Sequence, residues 1–585
     1  MNLPAIYHRT SDNYCYPIDE NQLIINLKTG YDVMSVELIY NDPFDGGILG
    51  GKWRWQGKRL AMPFKKELEQ HIWWTTTITP EFKRCKYYFH LKFHDGQEIC
   101  YLEEGFLSPA HIDDQATMKQ MFTFPWLNAS DIVRTPDWVH ETVWYQIFPD
   151  RFANGANQHL AHIKPWHSGE VTNQEIYGGD LQGIIDKLDY LVNLGITGLY
   201  LNPIFHAQST HKYDTTDYYT VDPMFGDNAK LKELVQKAHQ KGLKVMLDGV
   251  FNHTGSEFFA WQDILKHGFD SPYIDWYMVN KFPFLEKGHR TRHGDYYSFA
   301  FVDNMPKINT NHPAVVQYFM EVVSYWVREF DIDALRLDVA NEMAHSFNKE
   351  LYRTLKAIKP DFYILGEIWH DSINWLQSNE FDSVMNYPLT SAISNFWLDH
   401  HRNKYQLSQQ INRCYTMYMQ QTNNTLFNLL DSHDTQRLFN RVHKNIDAFY
   451  QQIFLLFAMP GSPCIYYGTE IALEGEHDPD CRRCMPWQAI DNQEHQATLA
   501  TIQAIIQLRH HNSCMKSQHF HFENHFYQVP RLIELLKIDD EGNKLRILFN
   551  ASEHEIYIEV YETTFCHKYY NHQLSPGGIL AYNVL

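Results

Sequence analysis

The sequence is short of several things. Cysteine is scarce, nine in 585 residues, odd in number and scattered. That excludes a disulfide framework and reads as reduced thiols. The one close pair, Cys481-Arg-Arg-Cys484, lacks the second pair of a zinc site and the βαβ context of a redox motif, so it reads as packing. No run of eighteen apolar residues exists, which leaves no candidate spanning helix. The start, MNLPAIYHRTSDNYCYPIDE, has neither a basic nor an apolar leader region, and the expectation is a cytoplasmic protein. Positive charge is also short: 50 Lys+Arg face 70 Asp+Glu, a net charge of −20. Nucleic acid and anionic membranes both require a basic footprint, so neither is an expected partner. Repeats and low-complexity tracts are absent.

What the chain does have is bulk. The length allows three or four domain-sized units, and a 44% hydrophobic fraction is that of a globular protein. Aromatic residues make up 15%. They are either core or flat faces for ligands such as sugar rings.

Three patterns follow one another. Residues 1–125 carry short alternating runs (QLIINLKT, VMSVELIY, HIWWTTTIT, KYYFHLKF) parted by turn clusters, the rhythm of a β-sandwich. Trp53, Trp55, Trp73 and Trp74 in this part are either its core or an exposed surface for sugar or a second subunit. Residues 126–509 alternate apolar strands with helical segments. Eight strands can be counted: 142–148, 196–203, 243–250, 332–339, 362–369, 381–387, 424–433 and 462–470. Strands apolar on both faces, alternating with helices, imply a parallel sheet, and eight such units fit a (β/α)8 barrel. The long gap after the third strand calls for an excursion over about 252–310. Residues 510–585 return to short strands, a C-terminal all-β domain. Within it HFHFENHF would place His519, His521, Glu523 and His525 on one strand face, read as a solvated face or a metal site.

Acids recur where the barrel strands should end: Asp248, Asp338, Glu367 and Asp434. Strand C-termini converge on the face where barrels carry their active sites. Carboxylates gathered there imply a bound cation or a chemistry that develops positive charge, as glycoside cleavage does through an oxocarbenium ion. Arg336 lies two residues before Asp338 on the same strand face, suited to keeping that carboxylate ionised or to forming a structural ion pair.

The strings DGVFNH (248–253), LRLDVANE (335–342), ILGEIWH (364–370) and LLDSHD (429–434) resemble, in order, four regions of the α-amylase family of glycoside hydrolases. GITGLYLNPIF, HKYDTTDYY and GSPCIYYGTE match further segments. MPKIN (305–309) and VANE (339–342) resemble the neopullulanase, cyclomaltodextrinase and maltogenic amylase subgroup. The resemblance covers nearly the whole chain. It implies Asp338 as nucleophile, Glu367 as acid and then base, and Asp434 as the third carboxylate on the sugar. It implies Tyr213, His253, His433 and Arg336 around the cleaved sugar, Trp369 beneath the next one, Asn341 and Glu342 on the acceptor side, and Asp478 and Arg482 on the donor side. Asp248 is expected to support the site from behind.

Three departures matter. Many members bind calcium near the first strand. Here FANG (152–155) runs on into Ala156-Asn157-Gln158-His159, so Asn154, Gly178 and Asp180 are what remains. Three oxygens fall short of the six to eight that calcium takes, so no cofactor is expected to be required, with calcium at this incomplete site as the alternative. Ala344 stands where an acid often precedes the histidine, and CRRC replaces CRRP. The resemblance implies retaining hydrolysis of α-1,4 bonds in cyclodextrins, maltooligosaccharides and pullulan, with some transglycosylation, by a homodimer. The alternatives are an α-1,6- or exo-acting glucosidase of the same family, or a non-catalytic glucan-binding protein on this fold.

Overall fold

The computed structural model describes residues 1–44, 55–112, 118–156, 163–377 and 379–584. Trp53 and residues 157–159 lie outside the described residues. The chain divides into two compact units.

The first comprises Met1–Arg134 with Arg402–Asn423. Two antiparallel sheets form it. One orders strands Cys15–Pro17, Leu23–Thr29, Ile72–Ile78 and Phe64–Glu67; the other is built around Val33–Asn41 and Cys85–Phe93. Alternation places Leu23, Ile25 and Leu27 of one sheet in a shared core with Val36, Leu38, Phe89 and Leu91 of the other, as a sandwich requires. Trp74 joins this core, Trp55 a second cluster with Ile39 and Tyr88, and Trp73 a third with Tyr14 and Leu68. All three are buried, so none is a surface aromatic. The helix Lys404–Cys414, expected in the barrel from chain order, groups with this unit, and Asn412 Nδ2 donates to Glu67 O at 3.0 Å.

The second unit holds the barrel. Its strands are β1 Trp144–Ile147, β2 Gly198–Leu201, β3 Lys244–Gly249, β4 Ala334–Leu337, β5 Tyr363–Gly366, β6 Ser383–Val384, β7 Phe427–Asn428 and β8 Ser462–Tyr466. Successive strands pair in parallel, β8 pairs with β1, and a Met385–Phe427 bridge joins the β6 and β7 edges. The interior is filled by Trp144, Tyr200, Met246, Ala334, Tyr363, Leu365 and Phe427, so the barrel is a packed core and not a pore. Strands β6 and β7 are only two residues long. The expected 424–433 strand stops at Asn428, and His433 and Asp434 sit in the following loop, where Ser432 N–H turns onto Thr435 Oγ1.

Between β3 and the amphipathic helix Pro313–Phe330 the chain makes its excursion, with a helix Phe259–His267 and bridges His253–Lys307 and Tyr277–Ile308. The C-terminal antiparallel sheet runs from His519–Phe522 to Gln573–Val584. The first of these strands ends at Phe522, so only His519 and His521 share a strand face. Glu523 pairs with Arg546 at 2.7 Å and His525 with Glu534 at 3.1 Å. Among the described residues no cluster of His, Cys, Asp or Glu could hold a metal ion, and no helix is long and apolar enough to cross a membrane. All nine cysteines are unpaired, and eight are buried.

Candidate active site

The strand ends of the second unit frame a cavity of about 390 Å³. A larger open groove of about 900 Å³ runs along the outer face of helix Pro313–Phe330, but no buried charge faces it. The smaller cavity carries the chemistry.

Asp338 and Glu367 each lie one residue past a strand. Asp338 N–H donates to Gly249 O and Glu367 N–H to Leu337 O, both at 3.0 Å, so the sheet fixes both backbones. Gly366 before Glu367 is required by contact: a Cβ there would sit 2.7 Å from the Phe381 ring. Asp338 and Glu367 are each 7% exposed, and Arg336 is fully buried behind them. Its Nη1 donates to Asp338 Oδ1 at 2.9 Å and to both oxygens of Asp248 at 2.9 and 3.0 Å. Its Nη2 lies 2.9 Å from Glu367 Oε2, out of line for a hydrogen bond, so that contact is coulombic. One guanidinium thus serves three carboxylates. Burial and the neighbouring carboxylates push Asp338 upward, and Arg336 opposes this. Burial likewise raises Asp248 against the pull of Arg336.

Glu367 is held at both oxygens. Trp369 Nε1–H donates to Oε1 at 3.2 Å and Val339 N–H to Oε2 at 2.9 Å. Val339 has φ 47° and ψ 44°, a left-handed conformation that a β-branched residue rarely takes and that costs about 1–3 kcal/mol. This strained residue aims its N–H at the acid. Trp369 is half exposed and lies flat on Tyr387, centroids 3.7 Å apart and planes 8° apart, so its other face is free for a ring.

Asp434 completes the carboxylates. Burial and Glu367 push it up to about 7, against Arg482 and Arg336. Arg482 lies 3.4 Å from Asp434 and 2.9 Å from Asp478, and donates to Asn173 Oδ1 at 2.9 Å. Its Nε and the Cys481 thiol both donate to His433 O, at 3.0 and 3.1 Å. The thiols of Cys481 and Cys484 are pushed up to about 12 by burial. Tyr213 stacks on His433 with centroids 5.5 Å apart, and its hydroxyl meets His433 Nε2 at 2.6 Å.

Of the residues singled out from sequence, Tyr213, His253, Asp338, Asn341, Glu367, Trp369, Asp434, Asp478 and Arg482 line the cavity. Arg336 and His433 stand directly behind it. Glu342 does not reach it and pairs with Lys307 at 3.3 Å. His253 lines the wall, but its Nε2–H goes to Tyr213 O at 3.1 Å and Phe299 stacks on its ring at 5.2 Å. Burial lowers its pKa to about 3, so it is neutral. Sequence reasoning missed Asn173, His211, Phe299, Met305 and Val339. His211 sits inside the HKYD string and could have been named from it. Asn173 and Phe299 come from segments with no periodicity to read.

At the first strand, Asp180 serves as the cap of a helix. Both Asp180 oxygens accept backbone N–H groups, from Gly155 at 3.1 Å, Ala156 at 2.7 Å and Gly183 at 2.6 Å, capping helix Leu181–Asp186. Asn154 Oδ1 is buried without a hydrogen-bond partner. Among the described residues these side chains offer fewer oxygens than the six that calcium takes, and residues 157–162 lie outside the described residues.

The family described as alpha amylase, catalytic domain, matches residues 146–540, and that described as alpha amylase, N-terminal ig-like domain, matches residues 1–128. A cyclomaltodextrinase of Geobacillus thermopakistaniensis is 46% identical over 492 residues, 83% of this chain and 81% of that protein. An intracellular maltogenic amylase of Bacillus subtilis is 39% identical over 556 residues, covering 93% and 92%. Neopullulanase 2 of Thermoactinomyces vulgaris is 35% identical over 575 residues, covering 94% of each. A solved cyclomaltodextrinase structure superposes with a TM-score of 0.86 at 35% identity, covering 96% of this chain and 94% of its own.

Proposed function

The chain belongs to the α-amylase family of glycoside hydrolases, and from that premise we propose that it hydrolyses α-1,4-glucosidic bonds in cyclodextrins, maltooligosaccharides and pullulan, with retention and some transglycosylation. The observation that carries the reading is the single buried guanidinium of Arg336 touching Asp338 and Glu367 at the cavity floor, 2.9 Å from each.

Asp338 attacks the anomeric carbon while Glu367 protonates the glycosidic oxygen, giving a glycosyl ester on Asp338. Water then enters, Glu367 takes its proton, and the ester is released with the original configuration. Asp434, braced by Arg482, binds hydroxyls of the cleaved sugar and steadies the charge that develops. Tyr213 presents a flat face to that ring. Trp369 carries the next sugar, and a sugar there competes with water for the ester, which is transglycosylation. These steps use carboxylates and one guanidinium and call on no cofactor.

A cytoplasmic setting and a homodimer belong to the same reading. The B. subtilis relative is called intracellular, and short imported glucans suit a cavity of this size. Side-by-side digestion of β-cyclodextrin, pullulan and soluble starch tests the proposal. Linear maltooligosaccharides from cyclodextrin and panose from pullulan are expected. Maltotriose from pullulan would mean α-1,6 cleavage, glucose alone would mean exo action, and no products would leave a binding protein.

A further inference from the structure

We propose that Gln146 is a positioning residue that fixes which ring nitrogen of His433 carries the proton; this rests on the roles given above to Asp338, Glu367 and Asp434. Gln146 lies on β1 and is fully buried. The hydrogen-bond directions can be followed from Asp248. That carboxylate accepts from Arg336 Nη1, from the Tyr200 hydroxyl at 2.8 Å and from the Tyr213 hydroxyl at 3.0 Å. The one proton of the Tyr213 hydroxyl is therefore given to Asp248. Groups that approach the Tyr213 oxygen must donate: Asn202 Nδ2 at 3.1 Å and His433 Nε2 at 2.6 Å.

A neutral imidazole with its proton on Nε2 leaves Nδ1 a lone pair. Gln146 Nε2 stands 2.8 Å from Nδ1 and donates to it. Its other hydrogen goes to Asn202 Oδ1 at 3.1 Å, turning the asparagine amide toward Tyr213. One amide therefore orients both donors. Gln146 Oε1 is left buried with no partner. A residue kept only for volume has no reason to strand an oxygen, since methionine or leucine would fill the same space.

The consequence reaches the carboxylates. His433 Nε2 also lies 3.1 Å from Asp434 Oδ2. With the proton there, His433 shares it between Tyr213 and Asp434. With the proton on Nδ1, a lone pair would face both oxygens and repel them. The charged and titratable groups around His433 are Asp434, Arg482, Arg336, His211, Tyr213 and Cys481. Burial and the two arginines keep the imidazole neutral.

The test compares Gln146→Met and Gln146→Glu with wild type, reading kcat and KM on β-cyclodextrin and the ring nitrogen signals of 15N-labelled His433, assigned through His433→Asn. Gln146→Met should lower kcat about tenfold with a smaller change in KM, the scale on which partners behind a ligand histidine act, and should mix the two tautomers. Gln146→Glu puts an acceptor opposite Nδ1, so both ring nitrogens should be protonated at pH 7 and the pH profile of kcat/KM should move. A folded Gln146→Met enzyme with kcat within about twofold of wild type and an unchanged Nε2–H signature would overturn the proposal. If that variant does not fold, an unchanged signature in Gln146→Glu overturns it equally. Full activity in Asp338→Asn would instead overturn the catalytic reading and leave the tautomer measurement standing.

Discussion

Replacing Arg336 by methionine keeps the volume and removes the charge. In the native chain Nη1 makes charge-assisted hydrogen bonds to Asp338 and Asp248, and Nη2 faces Glu367. Taking one partner from a buried ion pair costs about 3–5 kcal/mol, because the other charge stays buried and unpaired. Here three carboxylates are stranded at once, so the loss at pH 7 should lie at or above the upper end of that range. Part of it should return in acid. Without Arg336, Asp338 and Asp248, already raised by burial, are raised further; the folded state then holds more protons than the unfolded one, and stability therefore increases as pH falls through their folded pKa values. Arg336→Lys keeps a charge but offers one point where three are needed. Its stability should fall less, while kcat drops at least about 100-fold, or roughly 2.7 kcal/mol of transition-state energy. Urea midpoints at pH 5 and 7 and initial rates on β-cyclodextrin measure both. A methionine variant within about 0.5 kcal/mol of wild type at pH 7, or a lysine variant of full activity, would refute the bridging role.

Three further outcomes are expected. His8 is buried against Asn26 O at 2.6 Å and the Tyr87 hydroxyl at 2.8 Å, and burial lowers its pKa from 6.5 to about 3. Its contribution is complete above pH 6.5 and is lost by about 1.4 kcal/mol per pH unit as pH falls toward 3, since only the unfolded chain takes up the proton. His8→Gln should flatten that slope in urea titrations between pH 4 and 6, and an unchanged slope would count against it. Glu470 is fully buried with Tyr145 and Tyr190 donating to one oxygen at 2.8 Å and the other oxygen unpartnered. Burial raises its pKa, so its stabilising effect is present in acid and fades as pH rises. Glu470→Gln should raise the urea midpoint at pH 8 relative to wild type and shrink the gap at pH 5; a lower midpoint at pH 8 would contradict this. Trp369→Phe removes the N–H on Glu367 but keeps a ring on Tyr387, so kcat should fall several-fold with KM little changed. Trp369→Ala should also raise KM and suppress transfer products on maltotriose; equal behaviour of the two variants would argue against a stacking role.

The barrel was legible because its strands are apolar runs with helices between, a pattern that two buried faces impose. The carboxylates Asp338 and Glu367 could be placed at the barrel mouth because each lies just past such a run, whereas Asp434 lies in the loop beyond β7. What escaped was set by contacts that have no period. The left-handed turn at Val339 gives a backbone N–H to Glu367, and no side chain advertises that. Phe299 enters the cavity from an irregular excursion. Gln146 reads as one more residue of a buried strand, and only the His433 Nδ1 beside it gives it meaning. The short strand β7 was overextended because Leu429 and Leu430 continue the apolar run while the backbone leaves the ladder. Helix Lys404–Cys414 was assigned by chain order, which says nothing about which unit an inserted helix joins. The tryptophans of the sandwich needed the structure too, because Trp73 and Trp74 point to opposite faces and both faces are covered.

The central claim is that Asp338 forms a glycosyl ester that water then opens with help from Glu367. The most direct measurement is proton NMR of the sugar first released from maltotriose, taken before mutarotation scrambles the anomers. Retention requires the α-anomer to appear first. The β-anomer appearing first would mean a single displacement by water, and Asp338 would not be the nucleophile.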